Sequence, residues 1–234
     1  YKKRNTFNQN YNVGLNWKPF KNWTFRSEFG YGWKYDNTDQ VWASDAVQNS
    51  KLGYNGQPQS VLTRDITKNW RNANTLTYDN KKLFDGRDKL NVLLGHEVSS
   101  SQETSLENTS VAFPGTMTID EVLANMGAGT ALPTQTTISA KDNMLSFFGR
   151  VNYTLMDKYL LTVTVRADGS SKFAKGNQWG VFPSAALAWR LSDEAFMKGT
   201  QDWLSNLKVR LSYGTAGNNR ISSGLMYTTC LLYT

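Results

Sequence analysis

The sequence predicts an all-β protein: a transmembrane antiparallel β-barrel, of which these residues form an open fragment of about eight or nine strands. Three observations predict this class. Apolar and polar residues alternate along successive segments, the links between the segments are mostly short and long in turn, and large aromatic residues abound in a polar chain. The 234 residues include 8 Trp and 11 Tyr, yet only 39% are hydrophobic. Strands that face lipid on one side and a polar lumen on the other reconcile the two facts.

The first two predicted strands show the alternation most clearly. At the odd positions of residues 7–17, five of six residues are apolar, whereas the even positions of residues 6–16 hold only Thr, Asn and Gly. The odd positions are again mainly apolar in residues 23–35, and residues 18–22 form a short turn between the segments. A helix would mix the two sets within one turn, so this period of two predicts a β-hairpin.

Six further strands follow with weaker alternation. They are predicted at about residues 61–79, 90–98, 147–155, 159–166, 185–191 and 207–214. The first of them is the least regular, because Asn72 and Asn74 interrupt the parity of its apolar residues. A ninth strand is predicted to begin near Leu225.

The links between predicted strands are mostly short and long in turn. Residues 18–22, 80–88 and 156–158 are short links, and residues 36–60 and 99–141 are long ones. Outer-membrane barrels have short periplasmic turns and longer external loops, so this order indicates which end of each strand faces the periplasm.

Two later links fit that rule less well. Residues 167–178 are a moderate loop, and residues 192–206 should be a short turn but are longer than that loop. Ser192 begins a predicted capped helical turn over residues 192–197. A further short helix is predicted over residues 119–126.

Aromatic residues flank two of the short turns. Trp17 and Trp23 flank the first turn, and Tyr153 and Tyr159 flank the turn at 156–158. Amphipathic rings at strand ends are typical of a membrane interface. The alternative is that these rings pack in the core of a soluble β-sandwich, which the wholly polar second face of the first strand disfavours.

Several other classes are not expected. No apolar run approaches the ~18–20 residues of a membrane-spanning helix, and residues 1–5 lead into a strand without a signal peptide. If the protein is exported, the 234 residues are therefore expected to be an internal part of a longer chain. The net charge is +7, but the 26 Lys and Arg residues are dispersed, so no nucleic-acid partner is expected.

Cys230 is the single cysteine, so the sequence predicts neither a disulfide framework nor a cysteine-based metal cluster. Residues 230–234 resemble a translated sequencing adaptor and are predicted to be non-native. The predicted partial barrel domain is therefore residues 1–229.

Several motifs occur in one order along the second half of the chain. They are residues 146–153, 157–161, 166–173, 179–184, 188–192 and 207–214, among them the run Arg166-Ala167-Asp168-Gly169-Ser170-Ser171. Residues 74–78, 90–97 and 217–218 add to the set. In these motifs the chain resembles the SusC/RagA family of TonB-linked outer-membrane proteins, closely from about residue 60 and more loosely in the first hairpin.

The resemblance implies a larger barrel, of roughly 22 strands, plugged by a separate N-terminal domain. It implies import of large nutrients, oligosaccharides or peptides, across the outer membrane, with a SusD-like lipoprotein as an external lid. TonB would supply energy through an N-terminal part that these residues lack, as they lack the plug. Two rivals stay open: a siderophore or cobalamin receptor of the same barrel class, and a passive porin or surface adhesin.

No catalytic constellation occurs, so neither an enzyme nor a cofactor is predicted. Charged residues of the inner, lumen-facing parity are the candidate substrate-binding residues. They are Arg26, Glu28, Lys34, Glu97, Arg150, Arg166, Arg190, Lys208 and Arg210. Their alternative role, which we favour, is a network that pairs neighbouring strands across the wall.

Three other side chains attract attention. Trp42 and Tyr54, in a predicted loop, could stack on sugar rings, although packing within the loop is the simpler expectation. His96 has the lipid-facing parity of its strand, and a metal site there would need partner ligands that the sequence does not supply.

Overall fold

The structure is a computed structural model that describes residues 1–51, 53–54, 56–84, 86–200, 202–219 and 221. The described chain is built mainly of β-strands. They are β1 (Lys2–Trp17), β2 (Trp23–Trp42), β3 (Gln59–Leu83), β4 (Asp88–Val111), β5 (Thr130–Ala131), β6 (Gln135–Ile138), β7 (Asp142–Leu155), β8 (Tyr159–Ser170), β9 (Trp179–Arg190) and β10 (Lys208–Gly214). The eight long strands are those that the sequence predicts, and the all-β class is confirmed.

The helices are short. They are α1 (Val47–Lys51) and α2 (Ile119–Ala124), with 3₁₀ turns at Met126–Ala128, Leu191–Asp193 and Ala195–Thr200. The helix predicted at 119–126 is thus found, ending slightly earlier. No helix in the described ranges is long and apolar enough to cross a lipid bilayer.

The predicted strand ends are the main error. β2, β4 and β8 run on to Trp42, Val111 and Ser170, so the predicted loops at 36–60, 99–141 and 167–178 each begin too early. The added part of β4 is rich in Ser, Thr, Glu and Asn on both faces. Where both faces of a strand are polar, the alternation disappears although the backbone pairing continues. The predicted ninth strand near Leu225 and residues 230–234 lie outside the described residues.

All ten strands belong to one sheet. The long strands follow the order β1-β2-β3-β4-β7-β8-β9-β10, and β5 and β6 pair with β4. The described order is linear, with β1 at one end and β10 at the other. Pairing is antiparallel from β7 through β10, and Tyr1 and Val41 exchange both backbone hydrogen bonds at 2.9 Å, as opposed residues of antiparallel strands do.

The contacts divide the chain into two compact units: unit 1 holds residues 1–11, 31–70 and 101–141, and unit 2 holds residues 12–30 and 71–100 and those from 142 onward. Unit 1 has a small apolar core of Val41, Phe113 and Val122, all at most 1% exposed. Met117, Ile119, Leu123 and Met126 pack against this core. The links that the sequence predicts to be irregular are therefore partly folded.

A capping box starts helix α2 in unit 1. The Thr118 hydroxyl accepts from the Glu121 backbone N–H at 3.4 Å, and the Glu121 carboxylate accepts from the Thr118 backbone N–H at 2.8 Å. The backbone and side-chain hydrogen bonds from Thr118 lower the pKa of Glu121. This reciprocal cap fixes the start of a helix too short to be stable alone and places Val122 in the core.

In unit 2 the apolar side chains are the more exposed ones. Along β9 exposed and half-buried residues alternate without a break, and the exposed set includes Val181 at 61% and Leu187 at 58%. In β8 the exposed set includes Val163 and Val165, with Thr162 and Thr164 half-buried between them. A β-sandwich would bury this apolar face against a second sheet. The described strands form one sheet, so the sandwich alternative is wrong for this part of the chain.

The link after β9 differs from its prediction. The helical turn is present as two 3₁₀ segments, but Ser192 is buried and does not cap it; its hydroxyl is 3.3 Å from an Asp193 oxygen. The link is instead anchored by Glu194, as described below. Two 3₁₀ segments explain why this turn is longer than the others on its side of the sheet.

Candidate functional site

The register of unit 2 places five of the candidate residues on one face of the sheet. Arg150 lies opposite Thr164, Arg166 opposite Phe148 and Phe182, Arg190 opposite Lys208, and Arg210 opposite Ala188. These are the even positions of β7 to β10, and the odd positions carry the exposed apolar residues. We call this side the polar face and the other the apolar face.

Glu97 lies on the same polar face. A Cβ added to Gly95, two residues earlier in β4, would lie 2.5 Å from the Phe148 ring, so this parity of β4 faces the same side as Phe148. The carboxylate of Glu97 lies 2.5 Å from Arg71 Nη2. Arg71 therefore joins the polar face. It is not among the residues predicted from the sequence, because Asn72 and Asn74 blur the parity of β3.

Arg26 and Glu28 form an ion pair with each other along β2. A Cβ added to Gly14 of β1 would lie 3.8 Å from Cγ of Glu28, so Glu28 covers this glycine. Both charged side chains stay largely exposed, at 55% and 40%, and exposed pairs of this kind contribute little to stability.

Arg166 is the most constrained candidate. Its Nε lies 2.8 Å from each carboxylate oxygen of Asp168, and its Nη2 lies 3.0 Å from the Ser146 hydroxyl. Its guanidinium carbon lies 5.5 Å from the centre of the Phe148 ring, within the range of a cation–π contact. Because Asp168 neutralises it and the ring restricts it, Arg166 is fixed in the wall.

Four candidate cations make no ion pair within the described ranges: Arg150, Arg190, Lys208 and Arg210. Lys208 and Arg190 are register partners, with Arg210 two residues further along β10. Like charges directly opposite each other on a sheet are destabilising. This cationic cluster is therefore the part of the polar face best suited to an anionic or strongly polar partner.

Lys34, the remaining candidate, lies in unit 1. Its Nζ is 2.5 Å from the Asp36 carboxylate, which Arg4 also contacts at 2.7 Å and to which Thr6 donates. Asp36 is only 4% exposed. Arg4 and Asp36 share the parity of Lys34 but are not among the candidates predicted from the sequence.

A cavity of ≈ 240 Å³ opens in unit 2 where β8 ends and β9 begins. Its lining includes Asp168, Phe182, Asn177, Gln178 and Asn219. Amide and carboxylate groups beside an aromatic ring can hydrogen-bond and stack on a polar ligand. The sequence does not predict this cavity, because its lining comes from segments up to 75 residues apart, such as Met144 and Asn219.

Trp42, Tyr54 and His96 each lie in a strand or make contacts within the chain. Trp42 is the last residue of β2, not a loop residue. Tyr54 is half-buried, and its backbone N–H donates to Asn49 at 2.8 Å. His96 lies 3.3 Å from the Asn74 amide and 6.2 Å from the Phe147 ring centre. The described residues contain no cluster of three potential metal ligands.

Glu194 gathers three donors at the link after β9. The Tyr159 hydroxyl, the Lys158 ammonium and the Trp189 indole N–H lie 2.7, 3.0 and 3.1 Å from its carboxylate. These three hydrogen bonds lower the pKa of Glu194 to about 2. The stacked rings of Tyr159 and Trp189 are thereby tied to this link at the strand ends.

A single antiparallel sheet with one exposed apolar face and one charged face is the wall of a membrane β-barrel. Comparison with known proteins agrees. Residues 1–229 match the family model described as TonB dependent receptor-like, beta-barrel. The chain belongs to this family, and within it the chain is SusC/RagA-like.

The relatives show how much of such a protein this chain represents. TonB-dependent receptor P26 of Formosa agariphila is 32% identical over 222 residues, which cover 92% of this chain and 21% of that receptor. TonB-dependent receptor SusC of Bacteroides thetaiotaomicron is 45% identical over 93 residues, covering 40% of this chain and 9% of SusC. The chain thus spans about a fifth of the length of the first relative.

A solved structure shares the fold. The RagAB peptide transporter superposes with a TM-score of 0.77 at 22% identity, over 95% of this chain and 24% of that one.

Proposed function

We propose that the chain is part of the outer-membrane barrel of a TonB-dependent active transporter that imports large nutrients. The match of residues 1–229 to the receptor barrel family carries this proposal. The exposed apolar face of unit 2 supports contact with membrane lipid, because lipid can cover side chains that water would disfavour.

Oligosaccharides or peptides are the proposed nutrients. The 45% identity to SusC over 93 residues supports this class of importer over a siderophore or cobalamin receptor. A SusD-like lipoprotein is the proposed external partner, at the strand ends that carry the long links. TonB is the proposed energy donor, acting on a part of the receptor outside these residues.

For the candidate charged residues we propose a division of labour. Arg26, Glu28, Lys34, Glu97 and Arg166 pair with neighbouring charges and act as wall residues of the lumen. The cations that make no ion pair in the described wall contact the substrate or the plug: Arg150, Arg190, Lys208 and Arg210. Such groups keep their hydrogen-bonding capacity for a partner because no carboxylate of the described wall occupies it.

Uptake in cells tests the proposal. Cells that express the full-length receptor should accumulate labelled oligosaccharides or peptides, and loss of TonB or collapse of the proton-motive force should abolish the accumulation. Uptake that persists without TonB would contradict the proposal and favour a passive porin. A requirement for the receptor only during iron or cobalamin limitation would favour the siderophore and cobalamin alternative.

A further inference from the structure

Four lysines surround an open groove of ≈ 950 Å³ in unit 2, at the strand ends that carry the short links. Lys18 and Lys21 belong to the link between β1 and β2, and Lys81 and Lys82 to the end of β3. The two segments are held together by a backbone hydrogen bond of 2.8 Å from Asp79 N to Asn22 O. The groove thus concentrates positive charge from one link and one strand end.

The groove lysines keep their positive charge unpaired as far as the described residues extend. None of the four lysines makes an ion pair within the described part of the chain, and all four are exposed. Among the lining residues that the structure describes, Asp79 is the single carboxylate. By contrast, Lys158, at another link on the same side, pairs with Glu194.

Aromatic side chains border the charges. Phe20 lines the groove and is 74% exposed, and Phe84 in the next short link is 72% exposed. Trp23 also lines the groove, and its ring lies 5.0 Å from that of Tyr78 on the apolar face. Ammonium groups beside exposed rings at a strand end match the boundary between lipid headgroups and acyl chains.

We propose that this groove binds the headgroup of an anionic phospholipid in the periplasmic leaflet, with the lysines on the phosphate and Phe20 at the acyl boundary. The inference rests on the proposed outer-membrane location and goes beyond the transport function. Free phosphate would satisfy the lysines, but it would leave the exposed ring of Phe20 in water. An anionic lipid supplies both a phosphate for the lysines and acyl chains for the exposed ring. Polybasic segments at a membrane surface attract such lipids.

Native mass spectrometry of the detergent-purified full-length receptor tests the proposal. The probes are palmitoyl-oleoyl phosphatidylglycerol and its zwitterionic phosphatidylcholine counterpart. We expect the wild type to retain phosphatidylglycerol preferentially. Replacement of the four groove lysines by Gln should weaken that retention about tenfold or more and leave phosphatidylcholine retention unchanged.

The matched control removes the same charge elsewhere. Lys2, Lys3, Lys68 and Lys175 are exposed and do not line the groove, so their replacement by Gln should preserve the preference. If the fourfold groove variant fails to fold, the double variant Lys18→Gln, Lys21→Gln takes its place. In it the preference for phosphatidylglycerol over phosphatidylcholine should still fall several-fold.

The proposal is overturned by equal retention of both lipids by the wild type, by unchanged retention in the folded groove variants, or by displacement of the lipid by an equal concentration of inorganic phosphate. An acidic protein that occupies the groove in place of lipid would also exclude it. If any of these results is found in a receptor that still imports nutrient, the transport proposal stands and only the lipid site is refuted. If the receptor does not insert into the membrane at all, both proposals are refuted.

Discussion

Arg166 and Asp168 lie two residues apart on β8 and face the same side, with Arg166 Nε 2.8 Å from both carboxylate oxygens. Side chains at alternate positions of a strand share a face, so a wall can neutralise its own charge along a single strand. Arg26 and Glu28 repeat the arrangement on β2. The polar face therefore combines self-neutralised strands with the unpaired cations of β7, β9 and β10.

Replacing Asp168 by Asn should release Arg166. The pair is partly exposed, at 37% and 17%, so we expect a loss of about 1 kcal/mol in the free energy of unfolding with normal membrane insertion. Urea unfolding of the full-length receptor in detergent measures it. Asp202→Asn, at an exposed residue without an ion pair in the described chain, serves as the control. An equal loss in both variants would show that the contact contributes nothing specific.

Charge on the two faces should have unequal effects. The double variant Arg26→Ala, Arg150→Ala should insert normally, because both side chains lie on the polar face. Val163→Arg places a charge on the apolar face, which costs ~2–4 kcal/mol near the bilayer midplane, and should impair assembly. The heat-dependent gel mobility of folded barrels measures assembly. Equal assembly of the two variants would refute the assignment of faces.

Glu194 should make stability depend on pH below neutrality. Its pKa is lowered from 4.5 to about 2, so its contribution is complete above pH 4.5 and is lost as the pH falls through about 2. Urea midpoints of the full-length receptor between pH 6 and pH 2 should fall less in Glu194→Gln than in the wild type. Glu103→Gln, at an exposed carboxylate, is the control and should follow the wild type. Parallel profiles for Glu194→Gln and the wild type would contradict the role of Glu194.

Disruption of the apolar core of unit 1 should destabilise that core locally without preventing insertion of the barrel wall. Phe113 is fully buried, so Phe113→Ala should cost ~3–5 kcal/mol locally and expose residues 112–141 to proteases. Leu132→Ala, at a residue that is 41% exposed, should change proteolysis little. Loss of insertion in Phe113→Ala would mean that this core is needed for the wall itself.

Gly95 and Phe148 form a testable pair. A Cβ at position 95 would meet the Phe148 ring at 2.5 Å, so Gly95→Val should destabilise the sheet by ~1–3 kcal/mol through overpacking. Adding Phe148→Ala should recover part of that loss, because it removes the obstructing ring. A double-mutant cycle on urea midpoints measures the coupling, and strictly additive effects would show that the ring can move aside freely.

The sequence by itself determined which side chains share a face. Successive Cβ atoms of a strand point to opposite sides, so Val163 and Thr164 are assigned to different faces by position alone. The same local rule located the eight long strands, and the ordered motifs from residue 146 onward indicated the family. These features depend on neighbours only a few residues apart.

Only the tertiary structure decided which charges meet. Arg71 reaches Glu97 across 26 residues, and Arg4 reaches Asp36 across 32, because the pairing of neighbouring strands brings together residues that are far apart in the chain. The burial of Phe113 and the full length of β4 were decided in the same way. At polar strand ends the alternation of apolar and polar residues disappears. The ends of such strands are then set by hydrogen bonds to the neighbouring strands and not by the strand's own residues.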